Sequence, residues 1–179
     1  MPSRRILDFV MWTQRPNANL CWAAVALSVD RWRNQTPHWN RVCEVANDTP
    51  PRPRPPVTCC PHSSSRECDR TGNVKTALEV HNRSGGFLNP PTSTNLIAVS
   101  GSFAAIKQQI DGGMVVCASI RWTRGGGHEV VIWGYSENGS DRTVDVVDPL
   151  FDPSPGLPFM DFITAYRGIG RCSQLTMVV

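Results

Sequence analysis

Residues 114–147 read MVVCASIRWTRGGGHEVVIWGYSENGSDRTVDVV, and the fold class turns on them. Upstream, apolar positions recur every three or four residues. From Met114 they recur every second residue or run on without a break, which is the period of strands. Met114–Trp122, His128–Tyr135 and Thr143–Val147 are therefore predicted strands. Arg124-Gly125-Gly126-Gly127 and Glu137-Asn138-Gly139-Ser140 are the turns that join them. Such short connections predict antiparallel pairing.

Working back toward the N-terminus, Cys21–Trp32 lacks Gly and Pro, and Trp22, Val25, Val29 and Trp32 step by three or four. That spacing predicts a buried helix, with Asn19 in the turn-prone Pro16-Asn17-Ala18-Asn19-Leu20 as its expected cap. Further helices are predicted over Trp39–Ala46, over Asn73–His81 closed by Gly85-Gly86, and over Ser102–Ile110, which begins at Ser100 or Ser102 and is stopped by Gly112-Gly113. Pro158–Ala165 reads as a short helix and Leu175–Val179 as a last strand. Helices first and strands second is an α+β order. The reading is one domain over 1–179, mainly helical over 1–112 and mainly β over 113–179. A Pro- and Cys-rich loop over 49–70 carries prolines at 50, 51, 53, 55, 56 and 61, so that stretch is extended rather than helical. No internal repeat is visible.

Composition narrows the class. The 179 residues are 40% hydrophobic and 18% charged, enough to bury a core and too apolar for a disordered chain. No apolar run approaches the ~18 residues of a membrane span. A net charge of +3 is too small to argue for nucleic acid. Met1–Trp12 begins like an export signal with Arg4-Arg5, but Asp8 interrupts the apolar stretch and no small-residue cleavage site follows. The compartment stays open between the cytosol, export with a leader that this sequence does not include, and export by a route without a cleaved signal. The scarcity of lysine, Lys75 and Lys107 alone, fits a protein delivered into a host cell as well as it fits an Arg-rich genome.

Three pieces of the chain carry chemistry. Gln14 precedes Cys21, which opens the first helix; Gly125-Gly126-Gly127-His128 enters a strand; Asp148-Pro149 closes the next one. A Cys in the first turn of a helix meets the positive end of the macrodipole, which favours thiolate. An imidazole can take the thiol proton, a carboxylate at a strand end can orient that ring, and a side-chain amide can donate to an oxyanion. The glycines before His128 allow close backbone approach. Asp145 and Asp152 are rivals for the orienting role, with Asn138 behind them. Asp145 falls on the opposite face of its strand, and Asp152 in a Pro-rich loop. His38, His62 and His81 read as surface or structural residues.

Together, Gln14, Cys21-Trp22-Ala23-Ala24, Gly127-His128 and Asp148-Pro149 resemble the papain-like cysteine peptidases, in their compact bacterial branch of staphopain-like and plant-pathogen effector proteases. The resemblance spans Gln14 to Asp148. It implies a helical half packed against an antiparallel sheet or barrel half, with the active site in the cleft between them. It also implies Cys21 as nucleophile, His128 as general base and acid, Asp148 as orienter, and Gln14 with the Cys21 N–H as oxyanion donors. The implied activity is endopeptidase cleavage of a protein or peptide substrate, with no metal or organic cofactor. The same triad also serves deamidation, transglutamination or peptide ligation, and an inert Cys21 would leave a Cys-rich interaction module.

Two departures stand out. Gln14 is seven residues before Cys21 rather than six, so either the Pro16–Asn19 turn bulges or Gln14 is not the donor. Glu129 follows His128 where an apolar residue is usual, and as an exposed or cleft-facing carboxylate it would shape substrate preference or raise the basicity of His128.

Of seven cysteines, Cys43, Cys59, Cys60 and Cys68 surround the proline loop. Cys59-Cys60-Pro61-His62 with Cys68 offers four metal ligands, but at no standard zinc spacing. As disulfides, adjacent Cys59 and Cys60 need separate partners drawn from Cys43 and Cys68. Cys117 and Cys172 read as buried thiols, or as a third pair if the fold joins them. Pro50, Pro53 and Pro56 have the spacing of an SH3-type ligand, a weak signal in so proline-dense a stretch.

Overall fold

The computed structural model describes residues 2–34, 36–51, 58–60, 65–83 and 102–177. Outside the described residues lie Pro53, Pro55, Pro56, Pro61, His62, Gly85-Gly86, Ser100 and Val178-Val179. In chain order the elements are β1 (Ser3–Ile6), α1 (Cys21–Arg33), α2 (Val42–Asp48), α3 (Val74–Arg83), α4 (Ser102–Asp111), β2 (Val116–Trp122), β3 (Gly127–Asn138), β4 (Asp141–Val147), β5 (Ser154–Pro158), α5 (Phe159–Ala165) and β6 (Gly170–Met177). The class is α+β. Two compact units emerge, one of Met1–Phe9 with Thr92–Val179 and one of Val10–Pro91. Helix α4, read from the sequence as part of the helical half, falls in the sheet unit together with β1.

In the sheet unit, antiparallel strands follow the order β5-β4-β3-β2-β6, and β1 pairs with β3. The long β3 is served on one edge by two strands in turn: β2 along Gly127–Ile132 and β1 along Gly134–Glu137. Alternate residues Val116, Ala118, Ile120, Val130, Ile132, Val144 and Val146 cluster with Phe103, Ile106 and Ile110 of α4 and Phe159 and Phe162 of α5. A bulge between Ile132 and Gly134 shifts the phase, so Tyr135 continues the apolar row. The Tyr135 hydroxyl donates to Asp111 at 2.6 Å, and Arg5 donates to the Asp111 carbonyl at 2.9 Å, a cation at the C-terminus of α4 that ties down β1.

Neither β1 nor β5 was predicted. Ser3–Ile6 is short and mostly exposed, so it has no apolar alternation to read. Ser154–Pro158 holds two prolines and a glycine, tolerated because β5 lies at a sheet edge. Strand β6 starts at Gly170 rather than at Leu175.

In the helical unit, every residue of α1 from Cys21 to Asp30 is buried. The Trp22 indole donates to the Arg70 carbonyl at 3.0 Å, and a Cβ at Gly72 would overlap the Trp22 ring, so that position admits only glycine. The N-cap of α1 is Leu20, without a side-chain cap, and not Asn19. Asn19 is instead turned to Asp69, whose carboxylate accepts the Ala18 and Asn19 N–H groups at 3.1 and 2.7 Å. Helix α2 begins at Val42, later than predicted. Glu44 closes a capping box on Arg41, while the Trp39 N–H is engaged by Asp30 at 3.0 Å.

Two disulfides join Cys43 to Cys60 and Cys59 to Cys68, the separate partners that adjacency required. They close separations of 17 and 9 residues, and loop-closure entropy assigns each about 3 kcal/mol. The zinc alternative falls, because the thiolates it needs are bonded to one another. Cys117 and Cys172 form no third pair: Cys117 lies opposite Thr176, and Cys172 opposite Ile120.

Candidate active site

His128 and Asp148 lie in the sheet unit, Cys21 and Gln14 in the helical unit. Strand register brings the first two together. Val131 pairs with Val147, so alternation turns His128 and Asp148 to the same face, while Asp145 points to the other. The His128 Nε2 stands 2.7 Å from Asp148 Oδ1, with both side chains nearly sealed from solvent. Gly125 and Gly126 have φ of 91° and 84°, which the tight β2–β3 turn requires; their work is to return the chain so that His128 enters β3.

Asp148 is held from several directions. Its Oδ1 also accepts the Leu150 N–H at 2.8 Å and the Phe151 N–H at 3.2 Å, and its Oδ2 accepts the Tyr166 hydroxyl at 2.8 Å. Burial opposes ionisation of this carboxyl, but the His128 hydrogen bond and charge, with the Leu150 and Tyr166 donors, hold it below the usual carboxylate range. Burial and the Asp148 charge push the Tyr166 phenol up, so it stays a neutral donor. Arg167 Nε lies 3.9 Å from Asp148 Oδ2, and its guanidinium sits over Phe151 and Tyr166. Its backbone is in the left-handed region, φ 51°, a strain of order 1 kcal/mol.

An aromatic frame fixes the imidazole. Trp122 stacks on it with centroids 5.6 Å apart and 24° between planes, and Phe151 meets it edge-on at 6.2 Å. Trp122, Tyr166 and Arg167 were all missed from sequence. Trp122 closes a strand like any aromatic there, and Tyr166 is 18 residues from Asp148 with no local pattern to connect them.

In the helical unit, Cys21 is the first residue of α1 and stands outside both disulfides. The turn that delivers it is braced from the stapled loop: Asp69, next to Cys68, holds Ala18 and Asn19, and Arg70 holds Trp22. Gln14 is buried, and its Nε2 donates to the carbonyls of Asn17 at 3.1 Å and Ala18 at 3.0 Å. Both amide hydrogens are thus engaged within the turn. Gln14 is its brace, and the oxyanion role would need it to release one of those carbonyls.

The other candidates are accounted for locally. Asp145 Oδ1 accepts the Gly156 N–H at 2.7 Å, the Asp152 carbonyl accepts from Arg167 at 2.8 Å, and Asn138 ends the β3–β4 hairpin. His81 pairs with Asp30 at 3.0 Å in the interior of the helical unit. His38, partly exposed, is 3.5 Å from Asp48. Among the described residues no group of three or more His, Cys, Asp and Glu side chains is placed to hold a metal, and no helix is long and apolar enough to cross a membrane.

Glu129 departs from its expected exposure. It is buried, with Oε1 accepting the Ser119 hydroxyl at 2.8 Å. Burial raises its carboxyl from 4.5 to about 7. The native chain therefore keeps the proton to near pH 7, whereas the unfolded chain releases it above 4.5, so stability is lost as pH rises between those values. At about 1.4 kcal/mol per unit the loss approaches roughly 3 kcal/mol. Glu129→Gln keeps an acceptor for Ser119 and removes the charge. Its urea midpoint is expected to exceed the parent's at about pH 8 and to match it near pH 5. Parallel pH profiles for the two proteins would refute this.

A scan of protein-family models gives no match to this chain, and a search of curated proteins gives none.

Proposed function

We propose that the chain is a papain-like thiol hydrolase that cleaves peptide bonds through Cys21, His128 and Asp148. The observation that carries this reading is the sealed His128–Asp148 pair, tied through Nε2 and stacked on Trp122. A ring anchored by Nε2 offers Nδ1 to a reacting group, and a carboxylate with four donors on its oxygens is committed to orienting it. Cys21 at a helix N-terminus without a side-chain cap supplies the electrostatics a thiolate needs.

In this mechanism His128 Nδ1 takes the Cys21 proton, and the thiolate attacks the scissile carbonyl. The tetrahedral intermediate collapses to a thioester as the imidazolium gives its proton to the leaving amine. Water, deprotonated by the same ring, then attacks the thioester, and Cys21 leaves as thiolate. The Cys21 N–H supplies an oxyanion donor.

The test is alkylation by a peptide bearing a thiol-directed electrophile at neutral pH, read by intact mass and peptide mapping. Burial holds Cys117 well above the ordinary thiol range and pushes Cys172 up to about 11, so neither competes as thiolate. One adduct on Cys21, lost in Cys21→Ala and slowed at least a hundredfold in His128→Ala, is expected. Labelling indifferent to His128 would leave a non-catalytic module. Product mass separates the acceptors: backbone cleavage takes up one water and yields two fragments, whereas deamidation leaves the peptide whole.

A further inference from the structure

The far end of the sheet carries a second set of polar groups that the His128 chemistry does not use. A cleft of about 370 Å³ is lined by Arg4, Ser136, Thr143, Asp145, Pro155 and Gly156, all in the sheet unit. Ser136 is eight residues along β3 from His128, roughly 27 Å at the rise of an antiparallel strand, so this is a separate place.

Asp145 is the reason to read it as a binding site. The residue is only 3% exposed, yet it is a carboxylic acid that lines an open cleft. Its Oδ1 holds the Gly156 N–H at 2.7 Å, which accounts for one oxygen. No donor among the described residues meets Oδ2. The backbone is shaped around that second oxygen: a Cβ at Gly134 would stand 2.6 Å from Asp145 Oδ2 and 2.9 Å from the Arg5 carbonyl. The ladders slip on both sides of Asp145, between Ile132 and Gly134 of β3 and between Val144 and Val146 of β4. The extra residues belong to the neighbouring strands, Trp133 in β3 and one of Pro155 and Gly156 in β5, so a bulge flanks Asp145 on each side. A carboxylate needed only to hold β5 would not require its bare oxygen to be lodged over a glycine.

Arg4 supplies the complementary charge. It pairs with Ser136, and Ser136 with Thr143, so Arg4 sits two strands and two residues from Asp145. No ion pair joins Arg4 to Asp145 among the described residues, although both line the same cleft. From strand spacing and rise, their Cα atoms are about 12 Å apart. Two opposite charges held out of mutual reach, with hydroxyls between them, are matched by a ligand that carries both signs. An extended dipeptide spans about 7 Å, short enough to lie between residues spaced in this way.

The geometry points to a binding site for a short peptide zwitterion, its ammonium on Asp145 Oδ2 and its carboxylate on Arg4. The site is independent of the proposed hydrolase activity. The experiment is a ¹⁵N-amide titration of the full chain with Ala-Ala, N-acetyl-Ala-Ala and Ala-Ala amide. Saturable shifts in Ser136, Thr143 and Gly156 with Ala-Ala are expected, weakened at least tenfold by acetylation and by Asp145→Asn. The Asn variant keeps an acceptor for Gly156, so β5 stays in place. Arg4→Gln and the amide probe should weaken binding together. No saturation up to about 10 mM, a weak limit for a ligand this small, would overturn the assignment. So would acetylated and parent dipeptides that bind alike.

Discussion

Under the proposed thiol-hydrolase function, Asp148→Ala is expected to lower kcat/KM for peptide cleavage by about 10³- to 10⁴-fold, a loss of some 4–5.5 kcal/mol of transition-state stabilisation. The physical reason lies in what Asp148 holds. Its Oδ1 fixes His128 through Nε2, and both oxygens are themselves locked by the Leu150 and Phe151 N–H groups and the Tyr166 hydroxyl. Alanine frees the ring to rotate and removes the negative charge beside the imidazolium. Asp148→Asn separates these effects, because an amide oxygen still accepts from Nε2 and from the two backbone donors. A fall nearer tenfold is expected for Asn, the share that belongs to charge. Tyr166→Phe should give a smaller loss still. Cys21 alkylation rates follow the same order without requiring turnover, and circular dichroism reports whether each variant is folded. If Asp148→Ala retains activity within about threefold, the orienting role is wrong.

Asp30→Ala is expected to destabilise the helical unit by about 3–5 kcal/mol, a large part of the 5–15 kcal/mol that holds a typical domain. Asp30 and His81 are both fully buried, 3.0 Å apart, and Asp30 also accepts the Trp39 N–H at 3.0 Å and the Asn34 amide. His81 lies against the rings of Trp39 and His38. Removing the carboxylate therefore takes the shared acceptor from a buried imidazole and a buried N–H together. Burial works against ionisation of Asp30, yet the His81, Trp39 and Asn34 donors hold its carboxyl below the ordinary 3.8. Stability from this group is thus complete above that value and drains away as pH falls through the lower native one. Urea midpoints measure the loss, and the Asp30→Ala/His81→Ala double variant should cost less than the sum of the singles. Strict additivity would show that the pair is not coupled.

The α+β order, four of the five helices to within about two residues, and the three strands of residues 114–147 were legible because burial on one face writes a period of 3.6 or 2 into neighbouring residues. The disulfide partners of Cys59 and Cys60 were legible as an exclusion, since adjacent cysteines do not bridge each other. The residues that could carry chemistry, Cys21, His128 and Asp148, were legible as types at suggestive places. Strand register then decided which acid met His128, because a side-chain period of two places Asp148 beside the ring and Asp145 on the far face.

What the linear chain could not express is contact between distant residues whose local pattern is unremarkable. Tyr166 became a brace of Asp148 only when α5 ended beside β4, and Trp122 a partner of His128 only when the β2–β3 turn folded back. Gln14 turned inward because two nearby carbonyls accept its amide hydrogens, a competition no spacing rule reveals. Glu129 was buried rather than exposed, because alternation fixes the face of a strand but says nothing of what covers that face. Sequence alone thus determined the period, the class and the inventory of reactive groups, which are local properties. Tertiary structure decided orientation, burial and hydrogen-bond partnership, because those energies depend on groups the chain brings together from far apart.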